Sequence, residues 1–240
     1  MYYYLIIALQ GFCIYHCYTN RNSYYWILAI IFLPVVGCLI YLFMNVFQKR
    51  DIEKAQEEIV AVINPSKRIK DLEKKLKFSE SFENRVKLAD AYLEENMFDS
   101  AIENYEASLK DVFKNDYYVL SKLLEAYYFS TQFGKSIEIA ERIEDNTKFK
   151  KSRASFLYAL ALEKTGKIEE AETYLIKFDA PYNYYMERLE LARFFVRQRE
   201  NEKARNTYQE MVDEAENMSR QSYRTNRVLI KKAKEELKTL

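Results

Sequence analysis

Four glycines, three prolines and one histidine stand among 240 residues. So few turn-formers disfavour an all-β fold and suit long helices joined tightly. The lone imidazole, His16, lies in an apolar N-terminal stretch, so the rest of the chain has none for proton transfer. No Gly-rich phosphate loop is present, and no Ser or Cys nucleophile stands beside a base. The chain is therefore read as not an enzyme, with no catalytic, cofactor-binding or metal-ligating residue assigned.

Cysteine is confined to Cys13, Cys17 and Cys38, so the long remainder needs no disulfide and carries no thiolate chemistry. Cys13-Ile14-Tyr15-His16-Cys17 holds three ligand-type side chains in five residues. A closed zinc site takes four, and no second Cys/His pair follows, so helix packing is the simpler reading.

Charge is missing from residues 1–48, which contain no Asp, Glu or Lys and only Arg21 as a fixed cation. All 36 acids and 36 of the 37 Lys+Arg lie from Lys49 onward. That balance gives no whole-domain reason to bind nucleic acid, and no nucleic-acid partner is expected. Tyr24 to Phe47 is a run of 24 uncharged residues, against about 20 needed to span a bilayer as a helix. Residues 2–18 are apolar but interrupted by Gln10, Gly11 and His16, and 19–23 form a polar turn. The expectation is a transmembrane helical hairpin over 1–48, with spans near 2–18 and 24–47, contacting the lipid bilayer. A re-entrant first segment is an alternative; a cleaved signal lacks its basic n-region and cleavage site. Lys49, Arg50 and Lys54 against Arg21 alone place the C-terminal part in the cytoplasm by the positive-inside rule. A bacterial inner-membrane localisation is expected.

The segment Trp26 to Tyr41, with Pro34-Val35-Val36-Gly37 and the following Tyr41, resembles the N-terminal membrane hairpin of bacterial cardiolipin synthases. Paired His-x-Lys-x4-Asp motifs carry that family's catalysis; His16 is followed by Cys17 and Tyr18, so the resemblance implies an anchor without the catalyst.

Self-comparison of the charged part reveals a repeat. Ala101, Ser136, Ala171 and Ala204 are spaced 35, 35 and 33. Nine residues before each stand Tyr92, Tyr127, Leu162 and Phe195, and three earlier Ala89, Leu124, Ala159 and Ala192. Small residues let paired helices approach and large ones fill the gaps between pairs. The pattern, clearest in Leu88 to Tyr105, resembles the tetratricopeptide repeat. Gly166 holds the turn position of the third unit, where the others have Asn96, Thr131 and Arg199. The fold class is thus all-α: the N-terminal transmembrane hairpin plus a tetratricopeptide-like α-solenoid with a C-terminal capping helix. Residues 49–64 are expected as a helical stalk and 65–219 as the repeats, with units near 82–116, 117–151, 152–184 and 185–216. Residues 220–240 form the cap, needed because a solenoid's last apolar face has no neighbour.

In the family this pattern resembles, the first helix of each pair lines a concave groove that holds a peptide. That likeness points Asp90, Tyr118, Lys122, Glu125, Tyr128, Phe129, Arg153, Arg193 and Arg197 toward the groove. Aromatics offer contact area at low entropy cost, and arginines fix carboxylates. The expected function is a membrane-anchored scaffold that recruits a protein or peptide partner, with self-association left open. The alternative is an accessory regulator of a membrane lipid enzyme, acting through the hairpin. Two basic stretches, Lys67 to Lys77 and Arg220 to Lys238, fit an anionic surface or a solvated helix face equally.

Overall fold

A computed structural model describes residues 2–19, 23–42, 44 and 64–240. The chain divides into two compact units, Met1–Arg68 and Ile69–Leu240.

In the first unit, α1 (Tyr2–Thr19) packs with α2 (Tyr25–Phe32) and α3 (Val36–Tyr41). Cys13, Cys17, Ile30, Cys38 and Tyr41 are its buried centre. The polar residues of α1 turn inward: Gln10 Nε2 donates to the Ile30 carbonyl at 2.9 Å, and His16 Nδ1 lies 2.8 Å from the Tyr41 hydroxyl. Gly37 is required where α3 meets α2, because a Cβ there would fall 2.3 Å from the Ala29 carbonyl oxygen.

No helix among the described residues is long and apolar enough to cross a membrane. This overturns the expected transmembrane hairpin and, with it, the expected bacterial inner-membrane localisation. Gln10, Gly11 and His16 dilute α1. Pro34, lacking an N–H, separates the uncharged run into helices of eight and six residues. The resemblance to a cardiolipin synthase hairpin loses its structural basis for the same reason. The stalk expected over 49–64 lies, apart from Asn64, outside the described residues.

The second unit is built of helices alone among its described residues. A helix α4 (Pro65–Phe78) enters it, followed by α5 (Phe82–Glu94) and α6 (Phe98–Ser108), then α7 (Tyr117–Phe129) and α8 (Phe133–Ile143). Next come α9 (Arg153–Lys164) and α10 (Ile168–Leu175), α11 (Tyr185–Arg197) and α12 (Asn201–Glu214), and last α13 (Arg220–Leu237). Each pair packs on itself, and the first helices α7 and α9 also touch each other.

Two local devices repeat. Ser81, Asp116 and Ser152 cap α5, α7 and α9, each side chain accepting from the backbone N–H three residues on. At the other end of each first helix the chain turns through a left-handed residue: Asn96, Thr131, Gly166 and Arg199. The following N–H of Met97, Gln132, Lys167 and Glu200 then bonds back five residues, at 2.8–2.9 Å, the Schellman closure of a helix.

The repeat's small columns are the core. Ala101, Ser136, Ala171 and Ala204 are sealed from solvent, as are Ala89, Leu124, Ala159 and Ala192. Ser136 is polar in that column, yet its hydroxyl donates to the Leu124 carbonyl at 3.2 Å, which removes the cost of burying it. At the N-terminal end, Ile69, Leu72 and Leu76 of α4 join this core, and the Tyr92 hydroxyl donates to Glu73 at 2.7 Å. Tyr127 makes the equivalent bond to Glu106 of α6, so α4 stands where the second helix of a preceding repeat would. At the C-terminal end Ile230 and Ala233 of α13 cover the last pair.

Candidate functional site

The candidate surface is the face that α5, α7, α9 and α11 present away from their paired second helices. Its residues recur at a spacing of three or four, so side chains from successive turns stand in columns along each helix. Aligned across the four repeats, one column reads Glu83, Tyr118, Arg153, Met186 and another Asp90, Glu125, Leu160, Arg193.

These columns are stitched to each other. Tyr118 donates its hydroxyl proton to Asp90, 28 residues back, at 3.0 Å, and Tyr105 donates to the other oxygen of the same carboxylate at 2.5 Å. One repeat on, Arg153 Nε reaches Glu125 over the same 28-residue step, at 2.5 Å, while Lys122 Nζ holds the second Glu125 oxygen at 3.0 Å. The third joint has the apolar Leu160 and Met186 at these aligned positions. There the ion pair lies nearer the C-terminal ends of the helices, where Arg197 forks onto Glu163 at 2.6 and 2.8 Å and reaches Glu190 at 2.9 Å. Arg193 bonds Glu236 of the capping helix.

Burial pushes the Glu125 carboxyl up, but its hydrogen bonds from Arg153 and Lys122 outweigh that and hold it below the usual range. Burial, then the nearby Glu190 and Glu163 carboxylates, raise the Tyr128 phenol, placing this ring beside the third-joint cluster. Phe129 stacks on Phe98 with 5.7 Å between centroids, and the Arg153 guanidinium lies 5.7 Å from the Phe129 ring centre.

All nine residues selected from the sequence therefore lie in or beside this network, but most of their charged groups face each other across repeat joints. The face offers apolar and cationic surface to solvent together: Tyr118 is 48% exposed, Met186 44%, Phe129 40% and Val196 37%, beside the Arg153 side chain at 51% and that of Arg197 at 40%. Met186 and Val196 were not selected from the sequence, because only aromatic and charged side chains were taken as groove residues. Among the described residues no group of three or more His, Cys, Asp or Glu is arranged to hold a metal ion.

A second polar cluster escaped the sequence reading altogether. Arg188 is fully buried on α11 and bonds Asp179 at 2.9 Å, Glu214 at 2.7 Å and Glu210 at 3.2 Å. Glu214 also receives the Tyr182 N–H at 2.9 Å and the Tyr185 hydroxyl. Burial alone would lower the Arg188 pKa; the surrounding carboxylates reverse this and raise it. The cluster fixes the connection from α10 to α11, which passes through left-handed Tyr182 and Tyr184. Its cation is sealed, while Asp179 and Glu210 are 35% and 60% exposed. Arg188 aligns with Leu120 and Ser155, both buried, and that column is the signal that would have marked it as inward-facing.

No family model matches the chain, and no curated protein matches it by sequence. Solved structures do. MamA MSR-1 C2 superposes with a TM-score of 0.55 at 17% identity, covering 70% of this chain and 96% of that one. YrrB, described as a TPR protein with an unusual peptide-binding site, superposes with a TM-score of 0.53 at 15% identity, covering 78% of this chain and 96% of its own. At such identities the likeness speaks for the fold, and the fold is a tetratricopeptide-like α-solenoid.

Proposed function

We propose that this chain is a non-catalytic interaction scaffold whose first-helix face holds an extended peptide segment of a partner protein. The observation that carries the reading is the division of labour on that face. Asp90, Glu125, Glu163 and Glu190 are each held by a Tyr, Lys or Arg of the same chain, whereas Tyr118, Phe129, Met186 and Val196 stay open. Burying those four side chains would supply about 25 cal/mol per Å² of apolar area covered, without disturbing the ion pairs. Breaking the internal ion pairs to engage an acidic ligand would cost what they already supply. The ligand favoured is thus an apolar or aromatic segment with main-chain polar groups, in place of the carboxylate ligand that free arginines would suit. YrrB supports a peptide ligand by analogy of fold alone.

The test uses the full chain in a non-ionic detergent, because Ile7, Phe12, Leu28, Phe32 and Leu39 of the first unit are exposed. Peptides selected from a random displayed library are synthesised and their binding followed by fluorescence anisotropy. Phe129→Ser with Met186→Ser should weaken binding by at least about tenfold, the equivalent of 1.4 kcal/mol, with unchanged circular dichroism. Val228→Ser on α13, an exposed apolar control, should leave it intact. Equal binding by the Phe129/Met186 variant and wild type removes this face as the site.

A further inference from the structure

Charge within the second unit is unevenly spread. Residues 69–78 carry four Lys against Asp71 and Glu73, 79–219 carry 28 Asp+Glu against 20 Lys+Arg, and 220–240 carry seven Lys+Arg against two Glu. On α13 and its C-cap the cations are not scattered. Arg220, Arg224, Arg227, Lys231, Lys234 and Lys238 follow one another at steps of four and three, the period that keeps side chains on one helix face. All six are exposed. Among the described residues, the ion pair this row makes is the solvent-facing contact of Lys231 with Glu235, 3.6 Å apart. The flank of the helix that carries Ile230 and Ala233 is the side used for packing. A row of about 27 Å is thus left positive along the C-terminal end of the stack.

Its complement lies in the first repeat, inward of the N-terminal helix α4. Residues 88–109, which cover most of α5 and all of α6, contain no Lys or Arg. On α6 the exposed Asp99, Glu103 and Glu106 repeat the same four-three step. On α8 the exposed Glu138 and Glu141 stand at the matching positions, there flanked by the exposed Lys135 and Arg142. Two helices whose charges recur with one period can lie side by side with cation facing anion at every turn, as charge rows do in helical coils.

We propose that the basic row of α13 docks on the acidic row of α6 in a second copy of this chain. One chain holds both surfaces at opposite ends of its repeats, so the contact is heterologous and joins copies head to tail. It uses the outer and terminal helices, leaves the first-helix face open, and stands independently of the peptide-binding proposal. A weak, salt-sensitive association is expected, since exposed ion pairs contribute little each and act here as a row.

Sedimentation equilibrium of the full chain in non-ionic detergent tests this. The association constant should fall at least about tenfold between roughly 50 mM and 500 mM salt. Arg224→Glu with Arg227→Glu and Lys231→Glu should abolish association, as should Asp99→Lys with Glu103→Lys. Mixing these two variants should restore it, because each then supplies the surface the other lacks; a variant that had merely unfolded could not do so. A wild-type chain that stays a single copy at low salt overturns the proposal, as does association that survives either reversal. Binding of phosphatidylserine vesicles or of poly(U) RNA through α13, with no self-association, would likewise overturn it and reassign the row.

Discussion

Arg193 and Glu236 clamp the last joint of the stack, with Nε 3.1 Å from both carboxylate oxygens and Nη2 2.5 Å from one of them. The Tyr208 hydroxyl adds a third donor at 2.6 Å. The clamp matters because α13 fully buries only Ile230 and Ala233, a small apolar hold for an eighteen-residue helix. Without the carboxylate, a guanidinium and a phenol lose their shared acceptor. Glu236→Ala should cost about 1–2 kcal/mol, the range for hydrogen bonds to a charged group in a partly screened place. Amide hydrogen exchange should localise the loss, with α13 exchanging faster while α5 to α8 keep wild-type protection.

Acid should loosen the same joints. The Glu236 carboxyl is held below its ordinary 4.5 first by the Arg193 hydrogen bonds, against burial and with help from Tyr208. Glu125 is also lowered: burial opposes it, but Arg153 and Lys122 prevail. Between the ordinary and lowered values the unfolded chain binds more protons than the folded one, so stability rises with pH there. The contribution is complete above 4.5 and is lost as pH falls through the lowered native values. Thermal unfolding followed across this window should show the midpoint dropping below pH 4.5. Glu125→Gln with Glu236→Gln should be less stable at neutral pH and show a shallower acid slope.

The repeats were legible because packing repeats its demands locally. Ala89, Ala101 and their counterparts are sealed where paired helices meet, and all but Leu124 are small, so spacing alone displayed them. The left-handed turns were legible through Gly166, and the structure places Asn96, Thr131 and Arg199 in the same conformation. The pairing of Arg153 with Glu125 or Arg197 with Glu163 was not visible. Each residue alone is an ordinary surface charge, and partners 28 or 34 residues apart meet only once repeat registers are fixed. The N-terminal unit was misread for a different reason. Counting uncharged residues from Tyr24 to Phe47 ignores that Pro34 ends α2 after eight residues.

Arg188 offers a sharper stability test than any surface pair. Its guanidinium is fully buried among Asp179, Glu210 and Glu214. Removing one partner of a buried pair leaves uncompensated charge, which costs about 3–5 kcal/mol. Arg188→Met, which keeps much of the volume, should lower the urea midpoint by a corresponding amount. Adding Glu214→Gln should recover part of the loss, since a neutral amide no longer needs the cation. A double variant no more stable than Arg188→Met would show that shape, not charge, holds this corner.

The four helix-closing turns make an internally controlled set, because one backbone conformation is occupied by four different residues. Their φ values are +59° at Asn96, +63° at Thr131, +82° at Gly166 and +63° at Arg199. A Cβ in this region meets the neighbouring carbonyl at a cost of about 1–2 kcal/mol, most for a branched side chain and least for Asn. Thr131→Gly should therefore raise stability by about 1 kcal/mol, after the added freedom of the unfolded chain is subtracted. Gly166→Ala should lower it by a similar amount, and here the backbone is the whole cause, since beyond its own chain neighbours no atom lies within 4 Å of the new Cβ. Asn96→Gly should change little, with Arg199→Gly between. Thermal melts of the four variants should fall in that order. A Thr131→Gly chain that melts lower than wild type would mean the threonine side chain supplies a stabilising contact that outweighs its backbone strain.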